Sequence, residues 1–392
     1  MSEILKGIRI LEVSNFVSGP WACQMLAEYG AEVIKIETPK GGDPFRSFSE
    51  NQYSASFCAH NFHKKSVSVD LSAKEGADVF RRLAATADVV VENFRPGVMD
   101  RLGLGWNDLK TLNPRLIYCA ISGFGPSGPY QRRPAYDTVI QAISGLLGQF
   151  LAPDNPRIAG PNVADSVTSL CATSGVLGAL YARERSGTGM RIDVPMLDAV
   201  IAFATNPIAQ YFATGRTPDP YQRPSQSQCF VFKCADGRMV SIHMSAPQKF
   251  WEGMLKTIGH PELDADPRFN SNRNRILNFD ELGQVLAPHF LTKPRAEWES
   301  LLEKNDVPYA PVNDFEDVEN DPQVQHLKTI ISAVHPQMGL QKCIGRPVYY
   351  NGSRDFAAAA PPVLGEHTDA VLSDIGFSEG ELAKMRAQGA IK

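Results

Sequence analysis

The chain has 392 residues, with 39 Lys and Arg against 43 Asp and Glu, giving a formal charge of −4. That length suits a large and a small domain, and 43% apolar with 21% charged residues is a globular composition. The slight acidity argues against a dedicated nucleic-acid binder, which needs a basic face. No stretch approaches the roughly 18 apolar residues of a membrane span. The N-terminal lead Met1–Lys6 lacks a basic region followed by an apolar one, so no secretory signal is read there. The seven cysteines, Cys23, Cys58, Cys119, Cys171, Cys229, Cys234 and Cys343, are scattered and odd in number. They read as free thiols of a reducing, cytoplasmic compartment. Cys229 and Cys234 have four residues between them and no second ligand pair, so no metal site is expected.

Ile8–Val13 is an apolar run suited to a buried parallel strand. A turn over residues 14–20 leads into a helix from about Trp21 to Tyr29, which Gly30 stops. Ala31–Glu37 is the second strand of a βαβ unit. His60-Asn61-Phe62-His63-Lys64-Lys65-Ser66 reads as a solvated basic loop before a strand at Val67–Leu71, or else as a phosphate-facing patch. Ser72 with Glu75 has the capping-box spacing ahead of a helix whose inward stripe is Phe80, Leu83, Ala84 and Ala87. Val89–Val91 and Leu116–Ile121 are further strands, with a short helix near Asn107–Leu112 between them. Val139, Ile140, Ile143 and Leu147 mark one helical face. A longer helix opens near Asp165, with Val167, Leu170, Cys171, Ser174, Gly178 and Tyr181 on one stripe, and the strand Met190–Val194 follows. This alternation predicts an α/β fold with an open, parallel, Rossmann-like sheet.

The Pro-, Gln- and Ser-rich stretch 214–227 reads as a linker. Beyond it, strands at Cys229–Cys234 and Arg238–His243 flank an Asp236-Gly237 turn, with helices at Gln248–Ile258 and Phe279–Phe290. This is a smaller α+β domain. The expected division is 1–213, 228–325 and a C-terminal segment 326–392 that returns to the large domain, closing with helices at Thr368–Ile375 and Glu379–Gln388.

Asp165 follows Gly160-Pro161 and opens a helix. Pattern alone makes it an N-cap whose carboxylate the helix dipole holds ionised, and an ionised carboxylate in a dry pocket is also a nucleophile. The first βαβ turn holds one glycine, Gly19, too few for a dinucleotide fingerprint. The motifs of P-loop enzymes, GxSxG hydrolases and HExxH metalloproteases are absent from the sequence. Gly123–Pro129 follows a strand at a carboxyl end, where open α/β sheets bind ligands.

Taken in order, Leu5–Glu12, Gly19-Pro20, Gly30–Glu37, His63-Lys64-Lys65-Ser66, Val91–Gly97, Asn113–Tyr118, Ser122–Gly125 and Leu364–Thr368 resemble the class III CoA-transferases. That family includes the formyl-CoA:oxalate, carnitine and succinyl-CoA:glutarate enzymes. The resemblance runs nearly end to end. It implies that Asp165 attacks an acyl-CoA thioester, giving an aspartyl anhydride and then an aspartyl-CoA thioester. CoA thus passes from an acyl-CoA, succinyl-CoA among the candidates, to an organic carboxylic acid. The CoA thioester is a substrate, and no tightly bound cofactor is expected. By position the resemblance assigns CoA contacts to Ser18, Asp70, Leu71, Asn93, Phe94, Arg95 and Arg101, with Arg101 as the phosphate partner, and puts Tyr136 at the thioester end. Thr38 and Val17 stand where the formyl-CoA:oxalate enzyme has arginine and glutamine, and its glycine-rich loop has no counterpart between Pro224 and Cys229. These departures point away from oxalate. Arg46, His60 and Arg223 are candidates for an acceptor-acid pocket. The related α-methylacyl-CoA racemases are the alternative, but Tyr136 stands where they have a histidine base, and an ordinary tyrosine pKa near roughly 10 suits that role poorly. The family also implies an interlocked homodimer, with 214–227 and 324–344 as its linkers.

Overall fold

The structure is a computed structural model that describes residues 4–151, 155–354 and 357–392, so Met1–Glu3 of the N-terminal lead lie outside the described residues. The chain divides into two compact units, Met1–Asn206 with Gln325–Lys392, and Pro207–Val324.

The first unit is built on six strands: β1 (Arg9–Val13), β2 (Glu32–Glu37), β3 (Lys64–Ser68), β4 (Val89–Glu92), β5 (Ile117–Ser122) and β6 (Arg191–Pro195). Their order is β3-β2-β1-β4-β5-β6, and every pairing is parallel. The chain moves outward from β1 to β3, then returns to lay β4 on the other flank of β1. This is the doubly wound, Rossmann-like order, and its reversal between β1 and β4 opens a crevice at the carboxyl ends of the strands. Leu11, Val13 and Ile34 join one core cluster with Val79, Phe80 and Leu83 of the helix Lys74–Ala85. Ile10 and Val33 are also buried. Coverage of both faces is why these strands read as continuous apolar runs.

Several local expectations are corrected. Lys64-Lys65-Ser66 is neither a loop nor a phosphate patch but the start of β3. Lys64 Nζ lies 2.7 Å from Glu12 Oε2, and Lys35 Nζ lies 2.7 Å from Glu12 Oε1 and 3.0 Å from Asp43 Oδ2, all without solvent exposure. Arg46 grips Glu37 through Nε and Nη2 at 2.7 and 2.8 Å, and Ser66 Oγ donates to the same carboxylate at 2.6 Å. Three buried cations therefore answer three buried carboxylates, the condition for burying charge at all. Their attraction holds Glu12 below its ordinary range against the burial that raises it.

Ser72 does not cap the following helix, which starts at Lys74 after Ala73. Its N–H and hydroxyl instead donate to Asp70 Oδ1 at 2.9 and 2.5 Å. Asp70 supplies a local competitor for the hydroxyl, the usual way such residues turn toward their own backbone neighbourhood. On the helix Asp137–Ile143, Ile140 is buried while Val139 and Ile143 are exposed. The 24-residue helix Val163–Ser186 is, by length and composition, long and apolar enough to cross a membrane, unlike the expectation from the sequence. The core helix of a globular unit passes the same test, and here Ala164, Thr168, Ala172, Val176 and Leu180 are buried. The predicted stripe of Leu170, Cys171 and Tyr181 is exposed.

The second unit holds an antiparallel sheet of β7 (Cys229–Lys233), β8 (Met239–His243) and β9 (Tyr309–Pro311). The helices Gln248–Ile258 and Phe279–Phe290 pack on it, and the core gathers Phe232, Trp251, Phe290 and Trp298. The stretch read as a linker contains a short helix, Gln222–Gln226. Residues 324–344 are no simple linker either. They form the hairpin β10 (Ile330–His335) and β11 (Gly339–Ile344), whose Ala333 and Cys343 join Tyr53, Phe57 and Phe62 of the first unit in a buried cluster.

Candidate active site

A cavity of about 250 Å³ opens at the carboxyl ends of β1, β4, β5 and β6. The turn after β1 supplies Asn15, Phe16 and Ser18, the turn after β4 supplies Asn93, Phe94 and Arg95, and the loop after β5 supplies Phe124, Arg133 and Tyr136. Asp165 completes it from the first turn of the helix Val163–Ser186.

The first two turns are clasped to each other. Asn93 Oδ1 accepts the Asn15 N–H at 2.9 Å, and its Nδ2 donates to the Asn15 carbonyl at 2.8 Å and toward Ser18 Oγ at 3.3 Å. Phe16 holds a left-handed conformation, φ 64°, which is rare for a bulky side chain. Its N–H donates to Asp43 Oδ1 at 3.3 Å, so the buried ion network beneath anchors the turn. Its ring meets Tyr136 edge to face at 6.1 Å. The loop carrying Tyr136 runs close over Gly123, where an added Cβ would fall 2.2 Å from Ala135 Cβ.

Asp165 is not an N-cap. Asn162 occupies that position, so Asp165 is the third residue inside the helix. The free N–H groups of Ala164 and Asp165 donate to Asp137 Oδ1 at 2.7 and 3.1 Å. The Ser169 hydroxyl lies 2.8 Å from the Ser18 carbonyl oxygen and 2.9 Å from that of Asp165, fixing this turn against the first helix. Burial and the charge of Asp137 push the Asp165 carboxyl up to about 7, against a hydrogen bond from Asn162 that lowers it. The dipole does not hold it ionised in the ordinary range, as the sequence suggested. At neutral pH it is poised between acid and base, a property that clusters at functional sites. Chemically the cavity offers one carboxyl able to act as a nucleophile, two arginines, Arg95 and Arg133, and apolar walls.

Of the residues singled out in the sequence, Ser18, Asn93, Phe94, Arg95, Tyr136 and Asp165 line this one cavity. Asp70, Leu71 and Arg101 lie outside its lining. Asp70 sits past the end of β3, 3.7 Å from Lys40 Nζ. Leu71 packs on the first core cluster, and Arg101 is exposed at the end of the short helix Val98–Arg101. Arg46 is fully buried on Glu37 and cannot meet an acceptor acid. His60 and Arg223 do not line the cavity.

The sequence profile of CoA-transferase family III matches residues 5–368. The chain belongs to CoA-transferase family III. The succinyl-CoA:glutarate CoA-transferase of Mus musculus is 33% identical over 99% of this chain and 90% of its own length. The acetyl-CoA:oxalate CoA-transferase of Acetobacter aceti is 34% identical over 96% of both chains. The crystal structure of a CAIB/BAIF family protein from Brucella suis superimposes with a TM-score of 0.85 at 32% identity, covering 95% of this chain and 99% of that one. As a family III CoA-transferase, the chain is an acyl-CoA:carboxylate CoA-transferase.

Sequence reasoning missed Phe16, Arg133 and Asp137 at this site. Asp137 adjoins Tyr136, which was singled out, but its contact with a helix 27 and 28 residues further on carries no local signature. Phe16 carried one clue, its place in the turn after β1. Arg133 carried none.

Proposed function

We propose that this CoA-transferase moves CoA from an acyl-CoA, succinyl-CoA among its donors, to a dicarboxylic acid through covalent chemistry on Asp165. A carboxylate oxygen of Asp165 attacks the thioester carbonyl, the C–S bond breaks, and CoA leaves as the thiolate with an aspartyl anhydride formed. The thiolate attacks the Asp165 carbonyl and the donor acid departs as its carboxylate, leaving an aspartyl-CoA thioester. The acceptor carboxylate attacks that thioester, releasing thiolate and forming a second anhydride. Thiolate then attacks the acceptor's acyl carbonyl, giving the new acyl-CoA and restoring Asp165. No water or redox partner enters, and the covalent route keeps the activated acyl group bound throughout.

The observation that carries this reading is one carboxyl, raised to about 7, lining the cavity at the switch point of the sheet. At about 250 Å³ the cavity suits the acyl and thioester end, with Ser18, Asn93, Phe94, Arg95 and Tyr136 around it. The nucleotide end is assigned to Asp70, Leu71 and Arg101 outside it. Arg101 would take a phosphate, which a guanidinium grips with two donors. The mouse and Acetobacter relatives are named for the dicarboxylic acids glutarate and oxalate, which supports a dicarboxylate acceptor.

The working unit is proposed to be a cytoplasmic homodimer that needs neither membrane nor nucleic acid. Leu170, Tyr181 and Phe203 are 52%, 69% and 58% exposed, apolar surface that a second copy would cover. The test is an acceptor screen with succinyl-CoA against mono- and dicarboxylic acids, reading CoA-ester products by mass spectrometry. Transfer to dicarboxylates, lost in Asp165→Ala, is expected. Equal transfer by Asp165→Ala would overturn the mechanism, and solvent deuterium entering the α-carbon of an acyl-CoA without any acceptor would favour a racemase.

A further inference from the structure

A helix leaves its first N–H groups unpaired, and an Asn, Asp, Ser or Thr just before it ordinarily accepts them. The helix Val163–Ser186 departs from this rule. Asn162 stands at the cap position, yet its side chain makes no cap bond. The N–H groups of Ala164 and Asp165 go instead to Asp137 Oδ1 at 2.7 and 3.1 Å. Asp137 is the first residue of a different helix, Asp137–Ile143. Its second oxygen accepts from Gln141 Nε2 at 2.5 Å, and Gln141 is itself buried. An acid from a neighbouring element thus occupies the donors beside the nucleophile.

A carboxylate that takes helix N–H groups for itself is stabilised as the anion and becomes a weak nucleophile. We propose that Asp137 is a positioning residue that keeps Asp165 reactive, by claiming the helix N–H groups that would otherwise quench it and by setting a like charge beside it. This rests on the reading of Asp165 as the nucleophile. Attack on a thioester turns the Asp165 carboxylate into a neutral anhydride, so the repulsion from Asp137 is present in the ground state and relieved along the reaction. Only interactions that differ between ground and transition state raise the chemical rate.

Asp137 is the acid placed to act this way. It is the sole charged residue of its helix. The first helix, Ser18–Glu28, carries charge only at its far end, in Glu28. The helix Met196–Phe203 carries Asp198. On β6, Arg191 and Asp193 pair with each other at 2.8 Å, and β5 carries no charged side chain, with Tyr118 and the buried Cys119, whose thiol burial pushes up, as its titratable ones. Around the cavity the remaining charged or titratable groups are Arg95, Arg133 and Tyr136. The arginines would act on Asp165 in the opposite direction.

The experiment labels aspartate carboxyls with carbon-13, assigns Asp165 by its absence from Asp165→Asn, and titrates it in wild type and in Asp137→Asn. Asparagine keeps an oxygen for the helix N–H groups and removes the charge. The Asp165 midpoint should fall by about one pH unit or more in Asp137→Asn, and the acid limb of kcat/KM should fall with it while the circular dichroism spectrum stays that of wild type. A purely structural role would lower thermal stability and leave the acid limb where it was. An Asp165 midpoint unmoved in a folded Asp137→Asn protein overturns the inference. So does a wild-type Asp165 that titrates in the ordinary carboxylate range, which needs no variant to fold. The titration is read without substrate, so the two readings fail separately: an active Asp165→Ala enzyme sinks the nucleophile, and an unmoved titration sinks the role of Asp137.

Discussion

Asn93 and Asn15 are joined by a two-bond clasp, with the side-chain amide of one accepting the N–H of the other at 2.9 Å and donating to its carbonyl at 2.8 Å. The clasp spans the point where the sheet changes direction, between the turns after β1 and β4. It brings Phe16 and Ser18 into one wall with Phe94 and Arg95. Replacing Asn93 by Ala strands the Asn15 N–H and carbonyl, at a cost of about 1–3 kcal/mol for partly buried groups. The KM for acyl-CoA should rise about tenfold, one misplaced contact in free-energy terms. Asn93→Asp keeps the acceptor and loses the donor, and should fall between. Steady-state kinetics and chemical denaturation read both effects, and unchanged KM in Asn93→Ala would mean that the clasp does not shape the CoA site.

Gly123 lies under the loop that carries Tyr136. With Ala135 Cβ 2.2 Å from where a Cβ would stand, Gly123→Ala forces the loop to lift. Overpacking of this kind costs about 1–3 kcal/mol. Because the displaced residue adjoins Tyr136, turnover should drop more than stability. Comparing kcat with thermal midpoint tests this, and a variant with normal kcat and a lowered midpoint would contradict it.

Three carboxyls, Asp165, Glu92 and Glu28, are pushed up to about 7, chiefly by burial. Each binds its proton more tightly when folded than when unfolded, where the pKa is near about 4. Their contribution is fully present below that value and is lost as pH rises toward about 7. Glu37 acts in the opposite sense: Arg46, Lys35 and Ser66 overcome its burial and hold it at about 2, so its contribution is lost as pH falls from about 4 toward that value. Thermal stability from these groups should therefore peak near about pH 4 and decline toward about pH 7. Glu92→Gln, which keeps the shape of a side chain that accepts the Phe94 N–H at 2.8 Å, should flatten that decline. A rising midpoint between about pH 4 and about pH 7 would contradict the burial of these groups.

Lys35 neutralises Glu12 and Asp43 from the core of the sheet. Lys35→Met leaves Asp43 buried without a counter-charge and should cost about 3–5 kcal/mol. Because Asp43 also holds the Phe16 N–H, activity should fall as well. Adding Asp43→Asn to Lys35→Met should recover part of the stability. If the double variant is no more stable than the single one, the lone charge is not the cause.

The first βαβ unit and the helices Gln248–Ile258 and Phe279–Phe290 were legible in the sequence, because apolar periodicity, Gly30 and the Asp236-Gly237 turn are local signals. The β3 strand was misread at Lys64 because lysine in a buried strand makes sense only with Glu12, a partner more than fifty residues away in the sequence. Val139 and Ile143 have helical spacing but no core to face within the described residues of this chain. Asp165 was marked by its place at the start of a helix, and its role and that of Tyr136 came from resemblance to a family, whereas Asp137 was hidden because it caps a helix other than its own.

The most direct measurement is mass spectrometry of the enzyme quenched during turnover with succinyl-CoA and then treated with hydroxylamine or borohydride. Covalent catalysis predicts modification on the peptide containing Asp165, dependent on the acyl-CoA and absent from Asp165→Ala. An enzyme that turns over at full rate while that peptide stays unmodified, or that carries the label on another residue, would contradict it.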